Sequence, residues 1–294
     1  MVDSISWQIR GRSLSLGDPA LVMGIVNVTP DSFSDGGRYL DSNAAVEHAM
    51  GLVNEGADVL DIGGESSRPG AEPVSEAEEL ARVVPVISEL SSRTTVPISI
   101  DTYKAAVAQA AIKAGAHIIN DISGLQGDPD MSRVAAESRA GVIVMHMQGT
   151  PQTMQVNPTY SDVVGEVAQF FEARLQALRE AGIAGDRVVL DPGIGFGKTA
   201  AQNLDLLANL EEFRRFGRPI CLGVSRKGFF GKLLGRPTEN RLAASLAAAS
   251  YAVTRNPAHL IRVHDVAATR DTVRLLQVLA TYRASRMPER PGKD

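Results

Sequence analysis

The sequence predicts an α/β fold, a single (β/α)8 TIM barrel with its active site at the C-terminal ends of the strands. Three observations point there. Eight short apolar runs recur along 294 residues, a length that suits a barrel of about 250 residues. The runs are continuous rather than alternating, as strands buried on both faces require. Each ends in a polar residue, and in a closed barrel all eight ends meet at one rim. A doubly wound open sheet is the alternative if the strand count is off by one.

The runs are "LVMGIVN" (21–27), "ADVLDIG" (57–63), "VPISID" (96–101), "AHIIND" (116–121), "GVIVMH" (141–146), "RVVLD" (187–191), "PICLGVS" (219–225) and "HLIRVH" (259–264). Ala/Leu/Glu-rich stretches of helical spacing separate most of them. Over 42–56, Ser42 reads as an N-cap and Gly56 as the residue that closes the helix. Over 75–90, Ser75 and Glu78 have the spacing of a capping box. No shift of composition marks a linker. Residues 1–20 read as an N-terminal extension able to form a short hairpin at the barrel bottom, 21–282 as the barrel, and 283–294 as a polar tail.

Composition excludes several classes. A net charge of −4 offers no general attraction to nucleic acid or to an anionic membrane. Cys221 is the single cysteine, so neither a disulfide framework nor a cysteine zinc site can form within the chain. The N-terminal "MVDSISWQIRGRSL" has no apolar signal core, and no apolar run approaches a membrane span. These features predict a soluble cytoplasmic protein.

The strand ends carry Asn27, Asp61, Asp101, Asn120–Asp121, His146, Asp191, Ser225 and His264. Any one of them could simply turn the chain or cap a helix. Together they need cationic or hydrogen-bonding partners. The loops "TPDSFSDGGRYL" (29–40) and "GGESSRPGAEPVS" (63–75) are long for βα turns and read as functional. Arg68, "SRKG" (225–228) and "RVH" (262–264) make one side of the rim basic, where this fold commonly holds phosphate. On the other side, Asp101, Asn120 and Asp191 suit a flat heterocycle with a fork of N–H donors. The stretch "DPGIGFGK" (191–198), with Thr199 after it, imitates a nucleotide P-loop. Its spacing fails, because five positions before Gly197 stands Pro192, which has no N–H, and Asp191 would repel phosphate. No nucleophile–base pair is evident, Ser225 with His264 being a distant pairing. A Schiff-base role for Lys227 and a metal role for His146 have little support.

The stretches "MGIVNVTPDSFSDGG" (23–37), "DIGGESSRPGAEPVS" (61–75), "SIDT" (99–102), "NDISG" (120–124), "MHMQGTP" (145–151), "DPGIGFGK" (191–198), "GVSRKG" (223–228) and "RVHDV" (262–266) together resemble the dihydropteroate synthase family, in order, over about residues 21–280. The resemblance implies a TIM barrel of folate synthesis, a target of sulfonamides, that joins 6-hydroxymethyl-7,8-dihydropterin diphosphate to 4-aminobenzoate. It implies that Asp101, Asn120, Met145, Asp191, Phe196, Gly223, Lys227 and Arg262 hold the pterin. It implies that Asn27, Ser67, Arg68, Arg262 and His264 bind the diphosphate, with Mg2+ on Asn27. Phe33, Ser67, Pro69, Ser225 and Lys227 would form the aminobenzoate pocket, and Asp35, Arg68, Asp101 and Lys227 would act in catalysis. Ser67 stands where many members have Thr, which keeps the hydroxyl and alters the pocket. The family is commonly a homodimer. Pterin-dependent methyltransferase domains and a non-catalytic pterin-binding paralogue are the rival readings.

Overall fold

The computed structural model describes residues 4–17, 19–29, 37–255 and 258–286, without the side chains of 37–41, 255 and 284–286. Eight parallel strands close on themselves: β3 (Leu21–Asn27), β4 (Val59–Gly63), β5 (Ile98–Asp101), β6 (Ile118–Asp121), β7 (Gly141–Met145), β8 (Val188–Asp191), β9 (Ile220–Gly223) and β10 (Ala258–Val263), with β10 pairing back onto β3. Closure removes the sheet edges, so no open-sheet alternative remains.

Alternation sorts each strand's side chains into two sets. Outward residues such as Val22, Leu60, Ile100, Ile119, Val142 and Leu222 join the main core under the helices. Inward residues Met23, Val59, Ile118, Ile143, Val189, Cys221 and Leu260 form a separate apolar layer at the barrel bottom. An antiparallel hairpin, β1 (Ile5–Ile9) with β2 (Arg12–Leu16), covers that layer with Trp7, Ile9 and Leu16. The Trp7 indole N–H donates to Arg187 O at 2.9 Å, so its polar edge is satisfied while the ring is fully buried. Burying each such aliphatic contributes about 1.5–3 kcal/mol. The strand below the plug must start with glycine: a Cβ at Gly141 would lie 2.6 Å from Ile9 and 3.1 Å from Trp7.

Helices α1 (Gly37–Asn54), α2 (Glu76–Arg93), α3 (Ala105–Ala114), α4 (Met131–Ser138), α5 (Val163–Glu180), α6 (Ala200–Ala208), α7 (Gly228–Leu234), α8 (Leu242–Arg255) and α9 (Val266–Arg286) surround the strands. Two capping expectations are corrected. Ser42 lies inside α1, which extends back to Gly37 because no proline or glycine in 38–42 stops it. Gly56 does close that helix, at φ +97°. Ser75 accepts from Glu78 N–H at 3.2 Å, but the Glu78 carboxylate turns to Arg82 instead of back to the cap. A complete box forms instead at α6, between Thr199 and Gln202.

Candidate active site

Two residues above the apolar bottom layer, the inward positions change character. They are Asp61, Asp101, Asn120, Met145, Asp191, Gly223 and Arg262, of which Asp101↔Asn120, Met145↔Asp191 and Arg262↔Gly223 are neighbours in register. Arg262 donates from Nε to Asp61 Oδ2 and from Nη2 to Asp101 Oδ2, both at 2.6 Å. Asn120 Nδ2 also donates to Asp61 Oδ2, at 3.0 Å. Against the cost of burial, Asp61 and Asp101 hold the Arg262 guanidinium charged. Burial pushes the Asp101 carboxyl up to about 7 despite Arg262, with Asp61 adding to the rise.

Asp191 closes β8 and is 5% exposed. Burial raises its pKa, opposed by the Gly193 N–H, which donates to Oδ1 at 2.7 Å, and by Lys227. Burial lowers the Lys227 amine to about 8, with Asp191 opposing. That amine stands over the Phe196 ring, 4.3 Å from its centroid.

At the rim, His264 Nδ1 lies 2.9 Å from Ser225 Oγ, and the His264 backbone N–H donates to the same Oγ at 3.2 Å. With the hydroxyl assigned as donor to Nδ1, the ring carries its proton on Nε2. The serine–histidine contact that the sequence made remote is thus real. It does not make a nucleophile–base pair, because burial, Arg262 and Arg226 lower the ring to about 4, too weak a base for that work. What it presents is a neutral N–H donor.

The loop between β4 and α2 carries Ser67, Arg68 and Pro69. Ser67 lines a small cavity with Glu65, Glu79, Asp101 and Tyr103. Arg68 is exposed and its charge is felt at His264. Pro69 is exposed, next to Gly70, whose N–H donates to Pro151 O at 3.0 Å. Among the described residues no group of three or more His, Cys, Asp or Glu could hold a metal.

A family model described as "Pterin binding enzyme" matches residues 23–264. The chain is 46% identical over 280 residues to the dihydropteroate synthase of Escherichia coli K12, covering 95% of this chain and 98% of that one. The chain belongs to the dihydropteroate synthase family. Among solved structures of that family, the Xanthomonas albilineans enzyme with 4-aminobenzoic acid superposes with a TM-score of 0.89 at 46% identity, over 97% of this chain and 100% of that one. The Burkholderia cenocepacia enzyme complexed with 7,8-dihydropteroate gives 0.86 at 45%, over 96% and 99%. The Yersinia pestis enzyme with a sulfonamide drug gives 0.87 at 44%, over 94% and 100%.

Of the residues that the family resemblance singled out, the barrel gathers Asp101, Asn120, Asp191 and Arg262 in one layer and Ser225 and His264 directly above it. Lys227 and Phe196 form a contact of their own beside Asp191. Asn27 is half-buried at the end of β3, paired in register with Gly63. Phe33 and Asp35 lie outside the described residues. His146 faces away from the barrel interior, against Phe170 with ring centroids 5.0 Å apart. Asp121 likewise turns outward to bind Ser123 N–H and Oγ. Two participants escaped the site reading. Asp61 is the shared acceptor of Arg262 and Asn120, and its signal was its place two residues above Val59. Lys198 is buried under the β8–α6 loop, and no sequence periodicity marks it. Among the described residues no helix is long and apolar enough to cross a membrane.

Proposed function

We propose that this chain is an active dihydropteroate synthase, joining 6-hydroxymethyl-7,8-dihydropterin diphosphate to 4-aminobenzoate with loss of diphosphate. The observation that carries the reading is the stacking of two polar layers: carboxylates and an amide inside the barrel, N–H donors and cations at the rim above. The lower layer suits the donor-rich edge of a pterin. Asp191 accepts from it, Asn120 and Asp101 complete the set, and Lys227 donates to the ring's acceptor edge. Met145, Phe196 and Gly223 bound the slot. The Arg262 plane, tied to Asp61 and Asp101, offers a face on which the ring stacks.

The upper layer suits the diphosphate. Arg68, Arg262, the His264 Nε2–H, Ser67 and Asn27 surround it, and these donors stabilise charge on the leaving group as the C–O bond breaks. Asn27 supplies one amide oxygen, a donor that fits a Mg2+ carried mostly by diphosphate and water. Bound there, the ion would neutralise the leaving group. The bond breaks first, leaving a pterin-methylene cation that Asp35 stabilises. The arylamine nitrogen then attacks that carbon from a pocket made by Phe33, Ser67, Pro69, Ser225 and Lys227, and loses a proton to give product.

A homodimer is part of the same reading. Leu275, Val278 and Leu279 recur at helical i, i+3, i+4 spacing on α9 and are 55–62% exposed, an apolar stripe on the surface of the barrel. A cytoplasmic location accords with an intermediate-metabolism enzyme. The test is a turnover assay with both substrates that follows diphosphate release and dihydropteroate together. Release without dihydropteroate, or neither, would overturn the proposal. Calorimetry on Asp191→Asn assigns the pterin subsite, and sedimentation of Val278→Asp tests the dimer.

A further inference from the structure

The lysine that ends "DPGIGFGK" has no part in the chemistry above. Lys198 is 3% exposed. Its amine folds back beneath its own loop, where Nζ lies 2.9 Å from Phe196 O, 3.0 Å from Gly193 O and 3.3 Å from His146 O. Its fourth neighbour is His146 Nδ1, at 3.0 Å. Neutral acceptors surround the amine, and burial lowers it to about 7, with Asp191 opposing. Burial costs such an amine heavily, and an apolar side chain of similar length would fill the space without that cost.

What the amine achieves is geometry. Gly193 is left-handed at φ +67°, and its N–H donates to Asp191 Oδ1 at 2.7 Å. Lys198 grips the same residue's carbonyl, so Gly193 is fixed at both ends and the second Asp191 oxygen is aimed. Lys198 also grips the carbonyl of Phe196, whose ring lies beneath the Lys227 ammonium. The hold on His146 ties this loop to the end of β7, and His146 is itself wedged against Phe170. One buried amine thus sets the residues that flank both Asp191 and Lys227.

We propose that Lys198 is a positioning residue of the pterin subsite, aiming Asp191 through Gly193. The inference rests on the reading of Asp191 as the pterin acceptor. Calorimetry with 6-hydroxymethyl-7,8-dihydropterin diphosphate on the wild type, Asp191→Asn, Lys198→Met and the double variant separates the two. Asp191→Asn should bind far more weakly. Lys198→Met, folded by circular dichroism, should bind about ten-fold or more weakly, and the double variant should be no weaker than Asp191→Asn alone, because the lysine acts through the aspartate. In turnover, the pterin KM should rise while the aminobenzoate KM stays within about two-fold. Should Lys198→Met not fold, Lys198→Gln, which keeps a shorter donor, carries the same comparison. A folded Lys198 variant with wild-type pterin affinity, or a double variant whose losses multiply, would show that the lysine only stabilises the loop. Unchanged affinity in Asp191→Asn would remove the pterin role of Asp191, and that of Lys198 with it.

Discussion

Arg262 Nε donates to Asp61 Oδ2 at 2.6 Å, joining residues 201 positions apart. The two strands involved, β10 and β4, flank β3, so the guanidinium bridges over one strand inside the barrel. Asp61 is fully buried, and its second oxygen, Oδ1, has no hydrogen-bond partner among the described residues. A carboxylate in this state is unusual in an interior and leaves an acceptor ready for a donor.

Asp61→Asn should therefore loosen Arg262 rather than unfold the barrel, because Asp101 keeps its other N–H group. Losing a charged acceptor of this kind costs about 1–3 kcal/mol. Urea unfolding should register a loss in that range, and calorimetry a parallel loss of pterin diphosphate affinity. Wild-type affinity in the folded variant would mean that Arg262 does not shape the ligand site.

Gly193→Ala should fail for two reasons that act together. The residue has φ +67°, and a Cβ there would stand 1.9 Å from His146 O, a backbone atom that cannot swing aside. The left-handed conformation alone costs an L-residue about 1–2 kcal/mol. The variant should lose more than that on chemical unfolding, and pterin binding with it. Stability within about 1 kcal/mol of wild type would show that the loop relaxes freely.

The same loop marks how far the sequence can be read. The barrel was legible because its strands are apolar on both faces, and counting eight such runs suffices. Asp101 and Asp191 were legible because each closes a run, and Asn120 because it stands next to the end of one. What a run's end does not say is which way the last side chain points. Asn120 faces in and Asp121 out; Met145 faces in and His146 out; a shift of one residue exchanges them. Asp61 was legible as a strand-end polar residue but without a role, because it stands two residues before the end of its run at Gly63. Lys198 was hidden because its acceptors are backbone carbonyls, and their positions follow from glycine dihedrals rather than from residue type. The start of α1 was misplaced because Ser42 makes as good a cap as any, and only the chain's path decides whether it is used.

A half-buried lysine fixes the loop carrying Ser67 and Arg68. Lys104 Nζ donates to Glu65 and Glu79, both at 2.5 Å, and to Val74 O at 2.7 Å. Tyr103 completes the cluster by donating to Glu65 at 2.7 Å. Glu79 is 1% exposed, and its Oε1 has no hydrogen-bond partner among the described residues. Lys104→Met would strand two buried acids and should cost about 3–5 kcal/mol, while adding Glu79→Gln should restore part of it. With the loop released, the aminobenzoate KM should rise more than the pterin KM. Urea unfolding and steady-state kinetics on both variants check this. An additive double variant would mean that the pair is not coupled.

The pH response of His264 distinguishes a neutral donor from a cationic one. Burial, with Arg262, Arg226 and Arg68 against it and Asp265 in its favour, lowers the ring from 6.5 to about 4. Below pH 6.5 the unfolded chain takes a proton that the folded one refuses until about pH 4. The stability that the neutral ring contributes is therefore whole above 6.5 and is lost as pH falls toward 4. His264→Gln should remove this part of the slope, so the wild type's advantage should shrink as the pH drops from about 7 to about 5. In the free protein, the ring should appear neutral by NMR at about pH 5.5. A bound diphosphate places negative charge beside Nε2–H and raises the ring's proton affinity. Binding at about pH 5.5 should then take up a proton, read by calorimetry in two buffers of different ionisation enthalpy, and His264→Gln should abolish the uptake. Equal heats in the two buffers for the wild type would take His264 away from the diphosphate and leave it as a partner of Ser225 alone.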